Sequence, residues 1–129
     1  MIVPAGHFIL ELCGKTIILP NTLTSEGLNF ICEALVNPER PAPLGYIALG
    51  TSAPSRGRLG NEVIRKSATY SRPATSVIIL TADFENVANI TEIGIFNAET
   101  TGVLFAYTTT EAISISRLRV NYRIEVGSR

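Results

Sequence analysis

Near its C-terminus the chain alternates without a break for ten residues. Leu118, Val120, Tyr122, Ile124 and Val126 fall between Arg117, Arg119, Asn121, Arg123 and Glu125. Side chains on a β-strand point to opposite faces in turn, so this period of two marks a strand with one face in a core and the other in solvent. A strand of this kind needs partners, and the rest of the chain offers them. Apolar, β-rich runs at Leu44–Leu49, Glu62–Arg65, Ser76–Phe84, Ile90–Asn97, Val103–Thr109 and Ile113–Val126 are separated by turn signals at Gly50–Gly57, Asn86–Asn89 and Ala98–Gly102. Many strands, short connections and no helix between them indicate a mainly β fold, an antiparallel β-sandwich or small barrel.

The N-terminal part reads differently. Phe8–Cys13 and Thr16–Leu19 flank Gly14-Lys15 as a small hairpin. A helix follows, capped by Thr24 or Ser25, with Glu26 in its first turn. Leu28, Ile31, Cys32, Leu35 and Val36 have the spacing of one buried helical face. Pro38 disfavours the α conformation at Asn37 and ends the helix. Three prolines in Asn37–Pro43 make a stiff connector. The expected organisation is a hairpin-plus-helix arm over 1–36, a connector over 37–43 and a β body over 44–129, with the arm packed on its own body or exchanged with a neighbouring copy.

At 129 residues and 46% hydrophobic content the chain can bury roughly two-thirds of its unfolded surface as one domain. Eleven basic and eleven acidic side chains cancel, so no overall field draws it to nucleic acid or to an anionic membrane. No apolar run approaches the roughly 18 residues of a membrane span, and the opening MIVPAGHFILELCGK lacks the pattern of a secretory signal. Cys13 and Cys32 both end or interrupt apolar runs, and the expectation for them is two buried free thiols.

Chemistry is hard to find. The chain has one histidine, His7, placed near a terminus expected to be mobile, and no set of His, Cys, Asp and Glu spaced for a metal. The glycines at Gly57 and Gly60 lack a phosphate-binding pattern, and Gly50 and Gly57 are expected to supply positive φ angles in a loop. No catalytic, cofactor-binding or metal-binding residue is assigned. Arginines stand out instead. Arg56, Arg58, Arg65, Lys66 and Arg72 crowd one stretch against a single acid, Glu62, while Arg117, Arg119 and Arg123 share the polar face of the last strand. The aromatics fall in apolar strand positions and not among these arginines, which argues against a nucleic-acid surface. A solvated or salt-bridged face is the plain reading of these arginines, and the functional one makes Arg56, Arg58, Arg117, Arg119 and Arg123 the candidate protein–protein interface.

Four ordered blocks carry a family resemblance: YIALGT at Tyr46–Thr51, LGNEVIR at Leu59–Arg65, ITEIGIFN at Ile90–Asn97 and GVLFA at Gly102–Ala106. Together they resemble small β domains of tailed-bacteriophage virions, over roughly Leu44–Val126. The resemblance implies a structural protein with no enzymatic activity or cofactor, made in the host cytoplasm and resident in the virion. Fibre-like length needs repeats, which this chain lacks, so the leading expectation is a capsid decoration (cement) protein. It would form a homo-oligomer and bind the major capsid protein. A tail-fibre, collar or baseplate adaptor bound to tail proteins is the alternative, and a receptor- or glycan-binding module the second. Glu62 and Glu92 are acids in two of the matched blocks, a partly buried Arg–Glu contact involving Arg65 is expected to join those two, and Gly94 in mid-strand signals a close approach by another group.

Overall fold

The computed structural model describes residues 2–128, with side chains for residues 5–127. The fold is mainly β, an antiparallel eight-stranded sheet with one helix, and its edges do not close into a barrel. The strands are β1 (Ile2–Leu12), β2 (Lys15–Pro20), β3 (Thr22–Leu23), β4 (Tyr46–Gly50), β5 (Glu62–Ser67), β6 (Thr69–Ala74), β7 (Val77–Phe96) and β8 (Leu104–Ser128). The single helix, α1, spans Ser25–Val36. Along the sheet the order is β2-β1-β8-β7-β4-β5, with β3 on β8 and β6 on β7.

Two very long strands organise everything else. The N-terminal half of β7 and the C-terminal half of β8 pair with each other and are flanked by β6 and β1. The other halves pair with each other and are flanked by β4 and β3. The register shifts between Val87 and Ile90 and again between Ile90 and Glu92, and a bulge of this kind bends a strand and raises its twist. One sheet thus serves as two half-sheets, and their inner faces share one core. Phe8, Leu10, Leu80, Phe84, Val120 and Tyr122 from one half meet Ile47, Leu49, Ile93, Ile95 and Phe105 from the other.

The expected turn at Asn86–Asn89 is therefore a bend within β7, and the expected strands at Ile90–Asn97 and Ser76–Phe84 are one. Asn86 (φ 52°) and Asn89 (φ 55°) occupy the left-handed region, which asparagine tolerates. This is why the local chemistry looks like a turn. The strands expected at Val103–Thr109 and Ile113–Val126 are likewise one continuous β8. β6 carried no sequence signal, because all six of its residues are exposed and no apolar alternation marks them.

The N-terminal segment lies in the same sheet as the body. β1 runs antiparallel to β8, Ile2–Glu11 against Arg119–Ser128, and Phe8 and Leu10 are fully buried. His7 thus sits within a paired strand, opposite Arg123, rather than on a mobile terminus. Cys13 (φ 43°) and Gly14 (φ 80°) form the tight turn into β2.

Helix α1 begins as the sequence indicates: the Thr24 hydroxyl accepts the Gly27 N–H at 2.8 Å, and the helix stops at Asn37 before the proline. Its buried face differs from the expected one. A Cβ on Gly27 would come within 2.1 Å of the Phe105 carbonyl oxygen, so glycine lets the helix backbone touch β8. That contact turns Gly27, Phe30, Ile31 and Ala34 toward the sheet, with Phe30 edge-on to Phe105. Leu28, Cys32, Leu35 and Val36, expected in the core, face outward. Cys13 is exposed as well, being at a turn tip, so neither thiol is buried.

Tyr122 is the largest buried side chain, and its hydroxyl accepts a hydrogen bond from the Asn21 side chain at 3.0 Å. Burial pushes its pKa well above that of an ordinary tyrosine. A raised folded-state pKa gives stability that is complete below the unfolded value, near 10, and declines as pH rises beyond it. The Tyr122→Phe variant should lose part of the alkaline decline seen in urea titrations of the parent. In the same assay Phe8→Ala should cost about 3–5 kcal/mol. Leu28→Ala, in dilute protein, should stay within about 0.5 kcal/mol of the parent.

Candidate functional site

The loop between β4 and β5 carries two of the five candidate arginines, and it is fastened from below. Glu92 on β7 is fully buried, and its carboxylate accepts three backbone N–H groups: Ser52 at 3.1 Å, Gly60 at 2.7 Å and Asn61 at 2.8 Å. A buried carboxylate without donors would cost several kcal/mol, so this set fixes both ends of the loop at once. Gly50 makes room for it, since a Cβ there would lie 2.3 Å from the carboxylate oxygen. Gly50 has no positive φ; the glycine that does is Gly57. Thr51 N–H donates to the Asn61 carbonyl at 3.0 Å, and the Thr91 hydroxyl donates to the Ser52 carbonyl at 2.7 Å, which ties the loop mouth further.

Above this base the chain makes a two-residue hairpin turn. Ser55 and Arg58 pair through their backbones, and Arg56 (φ 53°) and Gly57 (φ 74°) fill its left-handed corners. Leu59 then plugs into a second, smaller core of Ala48, Phe96 and Leu104. Gly94 leaves the space, because a Cβ there would crowd Leu104 and Leu59 at 2.8 and 3.0 Å. Arg56 and Arg58 are thus exposed side chains on a fastened turn.

Arg65 performs the corresponding task for the turn at Ala98–Gly102. Its guanidinium holds Glu62 through two hydrogen bonds, at 2.9 and 2.7 Å, and stacks over the Phe96 ring at 3.6 Å. It also donates to the Ala98 and Thr101 carbonyls at 2.9 and 2.8 Å. The expected Arg–Glu contact between blocks is therefore Arg65 with Glu62 inside one block, while Arg65 reaches the other block by stacking on Phe96 and holds the turn beyond it through the Ala98 and Thr101 carbonyls. Glu92 takes no part in it. A groove of about 500 Å³ lies between the two turns, lined by Arg56, Arg58, Glu62, Arg65, Phe96 and Glu99.

Arg117, Arg119 and Arg123 lie elsewhere, on the outer face of the half-sheet that contains β1. Their row is interleaved with acids. Arg119 holds Asp83 at 2.7 Å, and Arg123 meets Glu125 at 3.1 Å. Arg117 stands opposite Glu85 in register. The Arg119 hydrogen bonds keep the Asp83 carboxyl below its usual pKa, so their contribution is present at neutral pH and fades as pH falls through that lowered value. Both partners are exposed, which keeps that contribution small. A row of like charges read from β8 alone is a mixed-charge surface once β7 is beside it. The five candidate arginines thus divide between two faces and form no single cluster.

Among the described residues, no three His, Cys, Asp or Glu side chains converge on a metal-sized site, and no helix is long and apolar enough to cross a membrane. Compared with protein-family models, curated proteins and solved structures, the chain matches none of them. The role of Glu92 had only a faint sequence signal, an acid in an apolar strand, because all three of its partners are backbone groups.

Replacing Glu92 by Gln turns an NH2 group toward backbone donors, and the change should cost about 2–3 kcal/mol. Hydrogen exchange checks it locally: the Ser52, Gly60 and Asn61 amides should speed up together, while amides between β1 and β8 keep their protection.

Proposed function

We propose that this chain is a non-enzymatic structural protein of a tailed-bacteriophage virion, and that it decorates the capsid, binding and stabilising the assembled shell. The observation that carries this reading is the division of its basic side chains between two faces of one continuous sheet. The Arg56–Arg58 turn is held on one half-sheet, and the Arg117–Arg123 strand face belongs to the other. A small body with two separate contact faces suits a bridge between neighbouring subunits of a lattice. Its buried carboxylate supports the same reading, since Glu92 is consumed in fixing a loop through three backbone N–H groups. The four blocks that resemble phage virion domains supply the parts of this loop assembly: β4, the Leu59 plug with Arg65, the strand carrying Glu92, and the first residues of β8.

Stabilisation would follow from binding the assembled shell and not its free subunits, so that each bound copy biases the equilibrium toward the shell. Many copies multiply a weak single contact. A second reading, a tail or baseplate adaptor, draws support from the different chemistry of the two faces. An arginine turn and a mixed-charge strand face suit two unlike partners.

Co-sedimentation with separated phage heads and tails tests both. Saturable binding to heads at many copies per particle is the expected result. Binding to tails alone, at few copies, replaces decoration with the adaptor role, and binding to neither removes both. Arg117 is exposed and forms no ion pair among the described residues, so Arg117→Gln leaves the fold intact. It should weaken head binding roughly tenfold, about 1.4 kcal/mol.

A further inference from the structure

Among the described residues, most of the large apolar side chains left in solvent gather in two places that differ in charge, with Ile18 and Val126 outside both. On α1, Leu28, Leu35 and Val36 are 53%, 75% and 80% exposed and lie on one side, at spacings of seven and eight residues. The helix carries Glu26 and Glu33 and no basic residue. The second place is the edge formed by β5 and β6. Among the described residues β5 pairs only with β4 and β6 only with β7, so β5 borders one half-sheet and β6 the other, each with one side lacking a partner strand. Tyr70 on β6 is 74% exposed. Lys66 and Arg72 flank it, donating only to the carbonyls of Asp83 and Thr75, while the one acid, Glu62, is taken by Arg65.

We propose that copies of the chain associate head to tail, with the outer face of α1 in one copy covering the β5–β6 edge of the next. Four physical points select this arrangement. Apolar groups meet apolar groups, and an acidic helix meets a basic edge. The lengths agree, since a 12-residue helix is about 18 Å long and the six residues of β6 span about 20 Å. An uncovered strand edge is a hazard that folded proteins commonly close with a helix. The symmetric alternatives are poorer. Packing α1 on α1 sets two acidic helices, neither with a basic residue, against each other. Pairing one β6 edge with another meets Pro73, which has no N–H to donate, and sets Lys66 and Arg72 against themselves. Two different surfaces in contact make a heterologous interface, which closes into a ring or extends as a filament. This inference stands apart from the virion reading and holds or fails without it.

Complementation tests it. In sedimentation velocity the parent chain should form species larger than a dimer that dissociate in high salt. Leu35→Asp and Tyr70→Asp should each be monomeric, with unchanged circular dichroism, because both side chains are exposed. Each variant keeps one intact face, so an equimolar mixture should give a heterodimer and nothing larger. Ile18→Asp, which alters another exposed apolar side chain, should leave the parent's size unchanged. If either aspartate variant fails to fold, Leu35→Ser and Tyr70→Ser serve the same test. A parent chain that stays monomeric, variants that keep its size, or a mixture that stays monomeric would each overturn the proposal.

Discussion

The buried carboxylate of Glu92 is the constraint on which the rest of the β4 half-sheet depends. Removing a charge from water is costly, and among the described residues no arginine or lysine pairs with it. Three backbone amides do so instead, and all three belong to the loop between β4 and β5. The loop therefore cannot leave without stranding a buried charge. Leu59 rides on that loop and seals the second core, and the Arg56 turn stands on top of it. Gly50, Gly60 and Gly94 follow from the same requirement, because a Cβ at any of them would strike the carboxylate, the loop backbone or Leu59. Arg65 mirrors the device with opposite sign, closing the neighbouring turn through its carbonyl oxygens.

The two long strands explain how so short a chain builds a single core from one sheet. A turn at Asn86–Asn89 would have reversed the chain and produced two separate hairpins. A bulge there bends the strand and keeps its direction, so β7 and β8 pass from one half-sheet into the other without interruption. Tyr122 reaches across this fold to Phe105, and it has room because Gly6 on β1 carries no side chain. The N-terminal strand is thus seated against the residue at the centre of the core, and the identity of Gly6 is set by a tyrosine more than a hundred residues away.

The sequence made some of this legible and hid the rest for physical reasons. The alternation through Arg117–Val126, the Thr24 cap and the stop before Pro38 are local signals, and each has a local cause. Gly94 and Arg65 were readable as a close approach and a contact, though not with their full set of partners. β6 was unreadable because no face of it is buried. The helix face misled because α1 has two apolar stripes, and only the contact between Gly27 and the Phe105 carbonyl decides which of them turns inward. Backbone donors leave no trace in side-chain patterns, so the three partners of Glu92 could be found only in the fold.

The misassigned stripe bears on the nature of the surface. Leu28, Cys32, Leu35 and Val36 have the spacing of a buried helical face, and in the isolated chain that face meets water. Single exposed apolar side chains are ordinary; a helical stripe of them is what the proposed contact between copies would cover. Edge strands carry the converse signature. Lys66, Arg72 and Pro73 discourage a neighbouring strand from adding to the sheet, yet they leave Tyr70 free to pack beneath something that is not a strand. A helix satisfies that condition, because its backbone is already paired within itself and it brings only side chains to the edge. The residues that keep this chain from polymerising through its sheet are thus compatible with a helix-on-edge contact that builds a defined assembly.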